Sequence, residues 1–176
     1  MTGASPAPAE AARAATEADL PAVAQLAAEL RSATADQRGG PLWAVYEALP
    51  GPTAAELATR LADPDLVTVV GTLDDVVLAY GLGHLTTVRD GRTLAVIDEL
   101  LVAEPARAVG LGEAVLGALV AWAAEHGALG VDATALPGDR TAKNFFESAG
   151  FTARRLVMHA SLSPNETSAP TTGDRR

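Results

Sequence analysis

Arg107-Ala-Val-Gly110-Leu-Gly112 lies between a strand-like segment, Thr93 to Val102, and an Ala/Leu/Val run with helical spacing, Glu113 to His126. A glycine-rich turn joining strand to helix gathers free backbone N–H groups and a helix N-terminus around one point, and such a point binds phosphate. Glycine is needed there because a side chain would keep an anion off the backbone. The pattern R-x-x-G-x-G is weak by itself. In this setting it points to a pyrophosphate-bearing ligand.

Working back from the loop, Val67 to Leu73 and Val76 to Val88 are β-branched runs joined at Asp74-Asp75, a hairpin signal. Arg89-Asp90-Gly91-Arg92 turns into the strand Thr93 to Val102. Ala11 to Ala15 suits a short first strand, and Thr16 or Asp19 caps a helix over Leu20 to Arg31, with Val23, Leu26, Ala27 and Leu30 on one face. Arg38 to Pro52 reads as a loop, and Thr53 caps a helix that Asp63-Pro64-Asp65 ends. Beyond the loop and its helix, Gly127 is a stop, Val131 to Ala135 a strand, Thr141 to Ala149 a short helix and Thr152 to Leu162 a closing strand. The order is β-α-α-β-β-β-α-β-α-β. This is an α/β fold, a mixed sheet with an antiparallel meander, which disfavours the doubly wound dinucleotide fold.

Composition narrows the class. The 176 residues suit one domain over residues 11–162, and residues 1–10 and 163–176 are too polar or too rich in Pro and Ala to order themselves. With 48% hydrophobic but 4% aromatic residues, the core must be aliphatic. No run is long and apolar enough for a transmembrane helix, and Met1 to Glu10 lacks the parts of a secretory signal. A cytoplasmic protein is the plain reading. A net charge of −9 argues against nucleic-acid binding and leans slightly towards cationic substrates. Lys143 is the only lysine among 13 basic residues, which reads as coding in a GC-rich bacterial genome. There is no cysteine to carry a disulfide, a thiolate nucleophile or a zinc ion, and the three histidines lack metal-ligand spacing.

Taken in order, Val102, Arg107, Gly110 and Gly112, the helix to His126, the strand near Val131, and Ala142-Lys-Asn-Phe-Phe-Glu-Ser-Ala-Gly150-Phe151 resemble the GNAT superfamily of N-acetyltransferases. Ala12-Arg13-Ala-Ala-Thr-Glu-Ala-Asp19-Leu is similar to the family's opening strand and helix, so the resemblance runs from Ala12 to Leu162. It implies an acyl-transfer fold that holds acetyl-CoA in a V-shaped gap between the fourth and fifth strands. Splayed strands leave backbone groups unpaired, and these can pair with pantetheine amides. Leu100, Leu101 and Val102 would supply that edge, and the N–H groups of Ala108, Val109, Gly110, Leu111 and Gly112 the pyrophosphate cradle. Arg107 either adds charge there or shapes the loop.

Acyl transfer to an amine needs a deprotonated nucleophile, a polarised thioester carbonyl and a proton for the leaving thiolate. The resemblance makes Glu99 the favoured base, with strand alternation placing it on the face of Ile97 and Leu101, opposite Asp98. A Glu there takes the proton, or it only pairs with a neighbour or faces solvent. Asp98 is the second candidate. Many family members carry Tyr near the thioester sulfur where this chain has Phe146, which leaves the proton donor unassigned. Asn144 and Arg140 are candidate cofactor contacts on or before the short helix. Trp43, Tyr46 and His84 are candidates for the acceptor pocket, each with a plain structural role as the alternative.

The expected activity is transfer of acetyl from acetyl-CoA to a small-molecule or protein amine, by direct attack in a ternary complex, since no cysteine can carry the acyl group. Dimerisation is common in the family. The competing classes are a non-catalytic acyl-CoA-binding or regulatory domain, which Phe146 favours, and an NAD-binding domain using Asp132, which the meander disfavours.

Overall fold

Thr93–Val102 forms the central strand, β4, and the other elements are arranged around it. The computed structural model describes residues 10–49, 53–107 and 109–162. In chain order these give β1 (Glu10–Ala14), α1 (Leu20–Thr34), α2 (Gly40–Tyr46), α3 (Ala54–Leu61), β2 (Leu66–Leu73), β3 (Val76–Thr87), β4, α4 (Leu111–Glu125), β5 (Val131–Ala133) and α5 (Arg140–Ser148). One sheet runs β1-β2-β3-β4-β5. The first four strands are antiparallel neighbours, and β5 lies parallel to β4 after a crossover through α4. The fold is thus the mixed α/β sheet with a meander read from the sequence.

Local chemistry sets the elements. Asp74 and Asp75 both take positive φ (49° and 65°), as the tight turn between β2 and β3 requires. Thr53 and Glu56 form a reciprocal cap on α3, in which the Thr53 N–H donates to Glu56 at 2.8 Å and the Glu56 N–H to the Thr53 hydroxyl at 3.2 Å. At the start of α1, Asp19 accepts from the N–H and the hydroxyl of Thr16 and receives a two-pronged contact from Arg13 at 2.7 and 2.9 Å. Alternation along the strands then divides the core. Val70, Tyr80 and Leu82 face α1 and α3 and pack with Val23, Leu26 and Leu57. Val67, Val69, Ala79 and Ile97 face α4 and pack with Leu111, Val115, Leu116 and Leu119. Each such aliphatic side chain, fully buried, contributes roughly 1.5–3 kcal/mol.

Four sequence expectations are corrected. Arg38 to Pro52 is not simply a loop, because α2 forms within it: Pro41 suits a first turn, and Trp43 is buried and gives the helix something to pack. Thr152 to Leu162 carries no regular structure, so β5 is the sheet edge among the described residues. Leu156, Val157 and Met158 are exposed, and what fastens the segment is charge: the Arg154 Nε–H donates to Asp132 on β5 at 2.6 Å. A strand is defined by its ladder partner, and among the described residues no strand pairs with this stretch. The first ten residues are not all outside the domain either, since Glu10 opens β1; residues 1–9 and the tail 163–176 lie outside the described residues.

The fourth correction is inside β4. Leu82 stands opposite Glu99, but Gly83 stands opposite Ile97, so Asp98 is an extra residue, a β-bulge. Glycine at 83 permits it, because a Cβ there would lie 3.0 Å from the Val96 carbonyl oxygen. The bulge resets the alternation. Ile97, Leu100 and Val102 pack on the α4 side, whereas Leu101 joins the α1 side and Glu99 bonds to groups there. Glu99 therefore shares a face with Asp98 and Leu101 and not with Ile97.

Candidate active site

β5 pairs with β4 only from Ala95↔Val131 to Ile97↔Ala133. Past the bulge, β4 has no strand on that edge among the described residues, and a cleft of about 520 Å³ opens there. Its floor is Ile97 to Val102. One wall is α1 and α2, with Leu30, Thr34, Gln37 and Trp43; the other is Gly112, Thr141, Ala142, Phe145 and Phe146. The opening therefore passes through the sheet, from the α4 and α5 face to the α1 face. A larger concavity of about 750 Å³ runs along the outer side of β5, lined by Val88, Leu94, Leu129 and Phe151. It touches neither the glycine loop nor the free part of β4.

The glycine loop lies at one end of the cleft. Gly110 caps α4 with φ 82°, so the helix begins at Leu111 and its first N–H groups are left without helical partners. The helix dipole adds to their attraction for an anion. Gly112 borders the cleft, and a Cβ there would meet Phe145 at 3.2 Å and Val102 at 3.3 Å. Arg107 reaches back, its Nε–H donating to the Val102 carbonyl at 3.2 Å, which ties the loop to the end of β4. Ala108 lies outside the described residues. Val109 is half-buried, and Leu111 turns its side chain into the core beneath α4.

Glu99 belongs to the cleft floor, yet its side chain is 0% exposed. Its Oε2 accepts from the Tyr80 hydroxyl at 2.6 Å, and its Oε1 accepts from Arg31 at 3.1 Å and from the Leu49 N–H at 3.1 Å. Arg31 also donates to the carbonyls of Leu49 and, at 2.9 Å, Ala27. Burial, then the charge of Glu99, push the Tyr80 phenol far above its ordinary range, so Tyr80 stays a hydrogen-bond donor. The network fastens the chain after α2 onto α1 and β4, and so fixes that wall of the cleft.

Asp98, the bulged residue, is only partly covered and borders the cleft. Its Oδ1 is 2.7 Å from Nδ1 of His84, and its Oδ2 accepts from Arg60 at 3.4 Å. Arg60 is buried and also donates to the Gly83 carbonyl at 3.0 Å, at the bulge itself.

The remaining candidates divide. Trp43 lines the cleft, whereas Tyr46, three residues on, is 80% exposed outside it. Phe146 lines the cleft and stacks edge-on against Phe145, with centroids 5.3 Å apart. Arg140 and Asn144 are exposed and do not border it, nor does the half-buried His84; Thr141, Ala142 and Phe145 do. Sequence reasoning missed Gln37, whose buried Oε1 has no partner and belongs to a cleft-lining side chain. No group of three or more metal-ligating side chains occurs among the described residues. An extended ligand with an anionic end fits these features: a glycine-capped helix N-terminus, a free strand edge and an orphaned amide oxygen.

A meander, a parallel fifth strand that splays from it, and a glycine-capped helix at the gap define an acyltransferase-type fold. Residues 28–151 match the Acetyltransferase (GNAT) family, and the chain belongs to it. No curated protein sequence matches. Among solved structures, a mutant of the BH1408 protein from Bacillus halodurans superposes with a TM-score of 0.74 at 21% identity, over 86% of this chain and 99% of its own. An aminoglycoside acetyltransferase from an uncultured soil metagenomic sample, in complex with sisomicin, gives 0.67 at 20% identity, over 88% of this chain and 95% of its own. Glucosamine-6-phosphate N-acetyltransferase from Arabidopsis thaliana gives 0.65 at 17% identity, over 88% and 99%. At these identities the likeness is one of fold.

Proposed function

We propose that this protein transfers an acetyl group from acetyl-CoA to a primary amine by direct attack in a ternary complex. The observation that carries the reading is the gap past Ile97↔Ala133, which has the α4 N-terminus at one end and a second wall from α1 and α2. The pyrophosphate would rest on the first N–H groups of α4, with Arg107 shaping the loop. Pantetheine amides would pair along Leu100 to Val102, and a backbone N–H there would hold the oxyanion. The acceptor would enter between Trp43, Gln37 and the Asp98 side of β4. Attack forms the C–N bond and breaks the C–S bond, with its electron pair leaving on sulfur.

In this reading Glu99 is a positioning residue. Three donors hold its carboxylate and its side chain has no exposed surface, so in this reading it shapes the acceptor wall rather than touching the amine. A net charge of −9 favours cationic acceptors, small or protein-borne. We place the protein in the cytoplasm; no helix among the described residues is long and apolar enough to cross a membrane.

The second reading, a non-catalytic acyl-CoA-binding domain, rests on Phe146, which brings no proton donor to the cleft. CoA-thiol release from acetyl-CoA with a panel of primary amines separates the two. Amine-dependent release supports transfer. Binding of acetyl-CoA without turnover by any amine rejects it.

A further inference from the structure

We infer that His84, held by Asp98, takes the proton from the acceptor amine. The inference rests on the proposed acetyl transfer and adds the residue that makes the nucleophile. Asp98 borders the cleft because the bulge projects it from β4, and its Oδ1 lies 2.7 Å from His84 Nδ1. A carboxylate at that nitrogen fixes the tautomer with the proton on Nδ1, and Nε2 becomes the acceptor. Arg60 donates to the other oxygen of Asp98 and to the backbone at the bulge, which orients the pair from below. His84 is not among the residues that line the cleft, but its side chain is 36% exposed beside Asp98, which does line it, so Nε2 is open to a ligand at that border, whereas the Glu99 side chain is 0% exposed.

The other histidines do not compete. His126 bonds the Trp122 carbonyl at 2.8 Å at the far end of α4, and His159 lies on the exposed segment after Phe151. Among the described charged groups packed near His84, Asp98 comes from β4 and Arg60 from α3, with the Arg31–Glu99 pair next along the same face. Leu66 and Val96 are its cross-strand neighbours, and the exposed loop before β2 carries Asp63 and Asp65.

The step balances. An N–H proton passes to Nε2 as the amine nitrogen bonds the carbonyl carbon. The C–S bond then breaks, and the imidazolium returns the proton to the departing thiolate, directly or through water. The products are an amide and a thiol. One histidine thus serves as base and then acid, which meets the need that Phe146 leaves open.

The test is the pH profile of kcat/KM for CoA-thiol release, with acetyl-CoA and the best amine of the panel, in wild type, His84→Gln and Asp98→Asn. Calorimetric affinity for acetyl-CoA and melting temperature are read in parallel. The expected result for His84→Gln is a loss of about 10²–10⁴-fold in kcat/KM and of the acidic limb of the profile, with acetyl-CoA affinity kept. Asp98→Asn is expected to lose less and to shift that limb. Added imidazole should restore part of the turnover of His84→Ala, which a structural role would not allow. Wild-type activity and an unchanged acidic limb in His84→Gln would overturn the inference alone. Acetyl-CoA binding with no amine turnover in the wild type would overturn the acetyl-transfer reading and this inference with it.

Discussion

The carboxylate of Glu99 takes hydrogen bonds from Tyr80, Arg31 and the N–H of Leu49, at sequence separations of 19, 68 and 50 residues. Removing the hydroxyl in Tyr80→Phe is expected to lower stability by about 1–2 kcal/mol, seen as a lower urea midpoint at unchanged slope. Arg31→Met strands a buried charge and should lower it more, by roughly 3–5 kcal/mol in the same measurement. Asp19 offers a pH test. Arg13, then the Thr16 groups, hold its carboxyl well below the ordinary value of 3.8. A depressed folded pKa contributes stability in full above the unfolded value, and that stability fades as pH falls through the folded one. The gap in stability between wild type and Asp19→Asn should therefore be flat at neutral pH and shrink below about pH 4. The glycine that caps α4 was legible because the conformation it supplies is local. The surroundings of Glu99 were not, because its partners come from three distant segments.

At the scale of elements, the bulge decides which acid does what. Regular alternation reads Ile97, Glu99 and Leu101 as one face, but one inserted residue, Asp98, splits that set. Its signal in the sequence is indirect: two adjacent acids in an apolar strand, opposite a glycine whose purpose emerges only from the register. In Gly83→Ala a methyl group would crowd the Val96 carbonyl, so a loss of about 1–3 kcal/mol is expected by thermal or urea unfolding, with turnover falling further as Asp98 and Glu99 shift. The hairpins and α1, α3 and α4 were readable from turn residues, caps and periodicity. α2 was hidden because its seven residues are too few for periodicity to speak, and Trp43 anchors it through tertiary packing. The stretch from Thr152 was misread because an apolar run looks like a strand whether or not an edge receives it.

For the whole molecule, the meander and the parallel β5 leave, among the described residues, a place where the sheet opens, and the family's pattern of residues surrounds it. The order of motifs along the chain made that architecture legible before any coordinates. The depth of the cleft and its α1 wall came only from packing. Ligand linkage follows: acetyl-CoA at 100 times its Kd should stabilise the folded chain by roughly 2.7 kcal/mol, read as a rise in Tm. The most direct measurement is a crystal structure of the full chain with acetyl-CoA. The account predicts the pyrophosphate on the N–H groups at the start of α4, pantetheine along Leu100 to Val102, and the acetyl group beside the Asp98 bulge. Acetyl-CoA bound instead in the groove outside β5, among Leu94, Leu129 and Phe151, would contradict it.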